Sequence, residues 1–192
     1  MKKVLLLLAN GFESFEAAAF IDVIGWNYCD GDKSTRLFTC GITKKIKTSF
    51  DQSVEVDYLT HEIDVEQFDA LAIPGGFEEY EFYLDAYSEK FSKLINDFNK
   101  SEKLIASICV AALPLGKSGI LRGMNATTYR GKRQKQLSEF GVNVVDKPIV
   151  IEGNVITSWN PATAIDVALL LLEKLTDKQN AKHIREIMGF TS

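Results

Sequence analysis

Three short segments carry residue types that can do chemistry. In Ala106-Ser107-Ile108-Cys109-Val110-Ala111-Ala112 an apolar run leads into a cysteine and a run of small residues leads out. Ser107 and Ala111 stand two positions either side of Cys109. A sharp strand-to-helix turn needs small residues there, because large ones would clash beneath the outward-turned nucleophile. Unpaired N–H groups at the start of the following helix would lower the thiol pKa and favour the reactive thiolate. The same spacing also fits a buried structural cysteine at a strand end. The second segment, Ile73-Pro74-Gly75-Gly76, ends another apolar run. Two glycines let backbone come close to a ligand and aim N–H groups at a developing oxyanion, or simply make a turn. The third holds Glu13 and Glu16 at the opening of the first helix. Acids there complement the helix dipole. A carboxyl turned instead toward Cys109 would be protonated or shared, and could move protons or hold an oxidised sulfur.

Other features are weaker. Leu115-Gly116-Lys117-Ser118 echoes the end of a phosphate loop, but Ala111 stands where that loop needs glycine, so it is rejected. Arg130, Lys132, Arg133 and Lys135 form a basic cluster that reads as a solvated helix face, or as a lip attracting anionic substrates. Tyr129 and Trp159 either wall a pocket or pack the end of the sheet.

The elements that must position these residues follow from hydrophobic period. Unbroken apolar runs predict buried strands over 4–9, 70–73 and 104–108, of the kind found in parallel sheets covered on both faces. Shorter strands are expected at 37–39, 53–58, 127–128 and 142–145, with a hairpin of 149–151 and 155–157 around Glu152-Gly153-Asn154. Helical spacing predicts helices over 13–28 (Phe15, Ala19, Val23 and Trp26 on one face), 88–99, beyond Cys109 to before Gly119, 132–140, 161–175 and 177–188. The apolar stretch 164–172 is expected to lie against the sheet and to contribute to a dimer. Strands alternating with helices give an α/β fold with a mostly parallel sheet, and no composition break divides 1–192 into more than one domain.

Composition narrows the function classes. The chain has 192 residues, 22 basic and 26 acidic, for a formal charge of −4, and 46% of its residues are hydrophobic. That is enough chain for a real core, and it offers no general electrostatic reason to bind nucleic acid. No apolar run reaches membrane-spanning length, and the run after Lys2-Lys3 stops at Asn10-Gly11, too soon for a signal peptide. The three cysteines, Cys29, Cys40 and Cys109, lack disulfide or zinc spacing and fit a reducing cytoplasm, with Cys29 and Cys40 expected to pack inside.

Read in order, the segments resemble the ThiJ/PfpI family, the class I glutamine amidotransferase-like group that includes the parkinsonism-associated protein deglycase. The resemblance runs from Leu8-Ala9-Asn10-Gly11-Phe12-Glu13-Ser14-Phe15-Glu16 through Ile73-Pro74-Gly75-Gly76 and Ile105-Ala106-Ser107-Ile108-Cys109. It ends at Thr157-Ser158-Trp159-Asn160-Pro161-Ala162-Thr163. It implies a flavodoxin-like three-layer sandwich with helices on both faces of the sheet, and a homodimer. It also implies Cys109 as nucleophile, Glu16 as its carboxyl partner, and Gly75, Gly76 and Val110 as backbone donors. Members include glyoxalases, deglycases, peptidases, chaperones and oxidative-stress sensors. One departure stands out: the family's histidine after the elbow is replaced by Tyr129 in Ala126-Thr127-Thr128-Tyr129-Arg130. His61 and His183 fall at no family motif position. A Cys–His dyad is therefore missing, which argues against peptidase or amidotransferase chemistry. A tyrosine, with an ordinary pKa of about 10, is a poor base near neutrality.

These readings converge on a cofactor-free enzyme without metal. Cys109 would add to a reactive carbonyl, such as a 2-oxoaldehyde or a glycated adduct, and Glu16 would move protons to yield a hydroxy acid. The competing reading is a non-catalytic redox sensor or chaperone whose Cys109 oxidises to a sulfinate. A flavin- or nucleotide-binding module lacks a phosphate-loop fingerprint.

Overall fold

The computed structural model describes residues 1–190. In chain order the strands are β1 (Lys2–Leu8), β2 (Thr35–Gly41), β3 (Lys45–Lys47), β4 (Ser53–Glu55), β5 (Tyr58–Leu59), β6 (Ala70–Ile73), β7 (Leu104–Ser107), β8 (Asn125–Ala126), β9 (Asn143–Val144), β10 (Ile149–Glu152) and β11 (Val155–Ser158). The helices are α1 (Ser14–Asp30), α2 (Phe82–Ala86), α3 (Glu89–Lys100), α4 (Ala112–Ser118), α5 (Lys132–Glu139), α6 (Ala164–Leu175) and α7 (Lys178–Ile187).

Seven strands form the central sheet in the order β10-β11-β7-β6-β1-β2-β5. All neighbours pair in parallel except the β10–β11 hairpin. β6 is the middle of it, with β1 beside it: all four residues of β6 are buried, and Val4 to Leu8 of β1 almost wholly so. Continuous apolar strands of this kind need cover on both faces. α1 and α6 pack together with α7 on one side, and α3 packs with α4 on the other. The fold is the α/β arrangement with a mostly parallel sheet that the strand–helix alternation implies, and the flavodoxin-like sandwich that the family resemblance implies.

The topology also fixes where a ligand can enter. The chain leaves β1 for β2 on one side and returns to β6 on the other. The loops after β1 and β6 therefore diverge and open a crevice at the carboxyl edge of the sheet, the usual ligand position in open α/β sheets. Glu16 follows β1, Gly75 follows β6 and Cys109 follows β7.

Four expectations need correction. The stretch 53–58 is two strands: β4 pairs with β3 in a separate ribbon, and β5 joins the edge of β2. Between them the Asp57 carboxylate accepts from Thr39 N–H and Thr39 Oγ1, both at 2.8 Å, taking the place of ladder bonds. Thr127 and Thr128 lie just past β8 and are buried without being strand. On α1, Phe15 and Trp26 are exposed, while Glu16, Ala17, Phe20, Val23, Ile24 and Asn27 face inward. The helix carries two apolar stripes, and period alone does not choose between them. Cys29 is exposed where packing inside was expected, and Cys40 is buried.

Candidate active site

Cys109 sits on a strained turn. Ile108 leaves β7 in extended conformation, and its N–H donates to Ile73 O at 3.2 Å. Cys109 then takes φ +59°, a left-handed conformation that costs a non-glycine residue roughly 1–2 kcal/mol. A single 3-10 turn, Cys109–Ala111, leads into α4. The strain is held in place from outside. Thr128 Oγ1 donates to Cys109 O at 2.8 Å, and Ser107 Oγ donates to Ile156 O at 3.2 Å. Ser107 and Ala111 are fully buried, so larger residues there would have no room. Cys109 itself keeps 9% of its surface exposed, a narrow opening toward solvent.

Glu16 comes from the first turn of α1. Glu13 caps that helix, accepting from Phe15 N–H at 3.4 Å, and its own N–H donates to Gly75 O at 2.8 Å. This clasp joins the loops after β1 and β6. Glu16 is completely buried, and its Oε2 accepts from Gly75 N–H at 2.6 Å. Its Oε1 is buried with no hydrogen-bond partner. A Cβ built on Gly75 would stand 2.9 Å from Glu16 Oε2 and 3.0 Å from Cys109 Cβ. The carboxyl oxygen and the cysteine Cβ are therefore at most about 6 Å apart. Gly75 is the residue that permits this convergence.

Burial dominates the electrostatics. It pushes the Glu16 carboxyl up to about 8, against the lowering effects of Gly75 N–H and Cys109. The carboxyl is therefore largely protonated at neutral pH. Burial also pushes the Cys109 thiol well above its ordinary value, with the negative charge of Glu16 the next cause and Val110 N–H pulling the other way. The expected acid-shifted thiol is not what this site holds. The helix start contributes one N–H, and desolvation outweighs it. Cys109 and Glu16 behave as one unit with its protons mostly in place at neutrality.

The backbone donors also need sorting. Gly75 N–H is committed to Glu16, so it is not free to bind a substrate oxygen. Gly76 and Val110, the residue after Cys109, line a cavity of about 210 Å³ together with Phe77, Glu78, Glu79, Tyr129, Arg130, Lys132 and Arg133; Cys109 itself does not line it. Gly76 is required by close approach: a Cβ there would lie 2.3 Å from Gly11 O and 2.3 Å from the Phe82 ring. Tyr129 is on the cavity wall and half exposed. Trp159 lies behind it, its ring 4.0 Å from the Arg130 guanidinium and its buried Nε1 unpartnered. His61 and His183 are exposed and do not line the cavity. Sequence reasoning missed Thr128, whose hydroxyl fixes the elbow, and Glu78, which pairs with the basic cluster. Among the described residues no group of three or more His, Cys, Asp or Glu side chains could hold a metal. Among the described residues no helix is long and apolar enough to cross a membrane.

A family model described as the DJ-1/PfpI family matches residues 2–174. The chain belongs to the DJ-1/PfpI family. Among its relatives is Protein dj-1beta of Drosophila melanogaster, 29% identical over 189 residues, covering 95% of this chain and 94% of that protein. Another, Deglycase PfpI of Pyrococcus furiosus, is 28% identical over 160 residues, covering 83% and 90%. The crystal structure of Drosophila melanogaster DJ-1beta superposes with a TM-score of 0.87, at 27% identity and with 100% and 99% of the two chains covered. This DJ-1/PfpI chain thus shares its fold along its whole length with solved members of the family.

Proposed function

We propose that this DJ-1/PfpI chain is a Cys109-dependent enzyme acting on reactive carbonyls, in the manner of its deglycase-named relatives. The observation that carries this reading is the pairing of a strained, slightly exposed thiol with a buried carboxyl that is protonated near neutrality. A protonated acid beside a thiol suits carbonyl addition better than amide hydrolysis, which wants an imidazole. The cavity offers Tyr129 there instead.

For a 2-oxoaldehyde, the Cys109 sulfur adds to the aldehyde carbon as the thiol proton moves to the new oxygen, giving a hemithioacetal. In its ionised fraction, which grows toward pH 8, Glu16 then takes the C1 hydrogen as a proton and returns it to C2, while the C1 hydroxyl proton passes to the C2 oxygen, so that the ketone becomes an alcohol and C1 a thioester. Water hydrolyses the thioester, releasing a 2-hydroxy acid and restoring the thiol. Net, one water is consumed and no external oxidant is needed. On this reading the N–H groups of Gly76 and Val110 meet the oxygen as charge develops. No cofactor enters these steps. The site's partners on this reading are small carbonyl compounds or glycated adducts. We further propose that the chain works as a homodimer in the cytoplasm, through the face of α1 that leaves Ile21, Trp26 and Tyr28 exposed.

The test is lactate formation from methylglyoxal, followed by NMR. Wild type should produce lactate, and Cys109→Ala and Glu16→Gln should each abolish it. Wild-type-like turnover in either variant would overturn the assignment.

A further inference from the structure

The basic cluster at the start of α5 is mixed: Arg130 and Lys132 are exposed, and Arg133 is not. Arg130, Lys132 and Arg133 all line the cavity shared with Val110, the residue after Cys109, and the Arg133 side chain is only 11% exposed. Burying a guanidinium is costly unless its donors are used. Arg133 donates to Gln136 Oε1 at 2.9 Å and to Glu78 Oε2 at 2.7 Å, and its guanidinium packs on the Tyr83 ring at 4.9 Å. Lys132 Nζ reaches the same Glu78 oxygen at 3.2 Å. One carboxylate oxygen thus serves two cations, while Glu78 itself is half exposed. Arg130 lies on the Trp159 ring, with the exposed Asp146 3.7 Å away.

The helix start adds to this positive field. Gly131, just before α5, has no side chain to cap the first N–H groups, and the helix's first turn carries Lys132 and Arg133. Cations at a helix N-terminus oppose the dipole, so the arrangement costs stability. The energetic misfit is relieved by an anion at the cavity, and Glu78 supplies one from the opposite wall.

We infer that Glu78 holds the place of an anionic group on the substrate: Lys132 and Arg133, with Arg130, form a subsite for a carboxylate or phosphate on the carbonyl compound that Cys109 attacks. This rests on the proposed carbonyl chemistry for the reaction, but the subsite can be tested without turnover. The geometry is suited to it, since Gly76 and Val110 line the same cavity as the three cations. An incoming anion displaces the Glu78 carboxylate, takes over the fork of Arg133, and directs the rest of the molecule toward Cys109.

Iodoacetate and iodoacetamide differ in charge and little else, and both alkylate thiolates. Their rates at Cys109 are read by peptide mapping, with exposed Cys29 in the same molecule as the reference. The iodoacetate-to-iodoacetamide ratio at Cys109 should exceed that at Cys29 by about fivefold at low salt, as a cationic site of this kind gives. Lys132→Gln and Arg130→Gln should each lower that ratio, and Glu78→Gln should raise it. A ratio at or below that of Cys29, or variants that move it in the other directions, would overturn the subsite. Propionate and inorganic phosphate as competitors separate the two sources: protection by either names the group, and protection by neither counts against the proposal. In turnover, 4,5-dioxopentanoate should have a higher kcat/KM than neutral 2-oxopentanal. If neither is turned over while the alkylation ratio holds, the carbonyl chemistry fails and the anion subsite stands. If both are turned over equally and the ratio is flat, the reverse is true.

Discussion

Replacing Glu16 by Gln should make the protein more stable at neutral and alkaline pH. The carboxyl is wholly buried, and burial lifts it from 4.5 to about 8 in the folded chain. Between those values the folded state keeps a proton that the unfolded state has released. Folding stability then falls by about 1.4 kcal/mol for each pH unit. From pH 5 to pH 8 the penalty reaches on the order of 4 kcal/mol, a large share of a typical domain's stability. Below pH 4.5 both states are protonated and the penalty vanishes. Gln has the same shape, its carbonyl can accept from Gly75 N–H, and it does not titrate. Urea unfolding of both proteins at pH 5, 6, 7 and 8 measures the difference. The variant's advantage should grow by about 4 kcal/mol across the series. The carboxyls held below their ordinary values, Asp32, Asp69 and Glu78, titrate on the acid side of this window and are common to both proteins. Parallel profiles would refute the reasoning, because they would mean that Glu16 is ionised in the folded chain without penalty.

Three other predictions follow from packing and strain. Gly76→Ala places a methyl 2.3 Å from Gly11 O and the Phe82 ring, and should cost about 1–3 kcal/mol in thermal or urea unfolding while displacing the cavity wall. Thr128→Val removes the hydroxyl that bonds Cys109 O; a loss of about 0.5–1.5 kcal/mol and a drop in methylglyoxal turnover are expected. Light scattering should give twice the chain mass for wild type, and Ile21→Lys, on the exposed face of α1, should shift it toward a single chain.

Much of the fold was legible because its strands are buried on both faces. The runs that became β1, β6 and β7 are continuous and apolar, and each ends at a residue type with a chemical reading: Asn10-Gly11, Pro74-Gly75 and Cys109. Cys109 could be singled out because small residues at ±2 are a local signal. Its neighbours were harder to read. Whether Glu16 or Phe15 faces inward depends on which apolar stripe of α1 meets the sheet, and that is decided by α6 and the strands, not by α1's own spacing. The thiol's environment was misjudged for a related reason. A helix start is visible in sequence, whereas the desolvation that outweighs it comes from contacts across loops far apart in the chain. Thr128 and Glu78 act through one hydrogen bond or ion pair each, and nothing in their local sequence marks that.

The central claim is that Cys109 and Glu16 titrate as one unit, and the alkylation rate of Cys109 against pH tests it most directly. Iodoacetamide with peptide mapping separates Cys109 from exposed Cys29 and buried Cys40. Wild-type Cys109 should react slowly at neutral pH, with a midpoint above that of Cys29. Glu16→Gln removes a charge that lies roughly 5 Å away, worth about 3 kcal/mol at an effective dielectric of about 20. The midpoint of the variant should therefore fall by about two pH units. A midpoint that stays put in the variant, or a Cys109 that resists alkylation at every pH in the native state, would contradict the account.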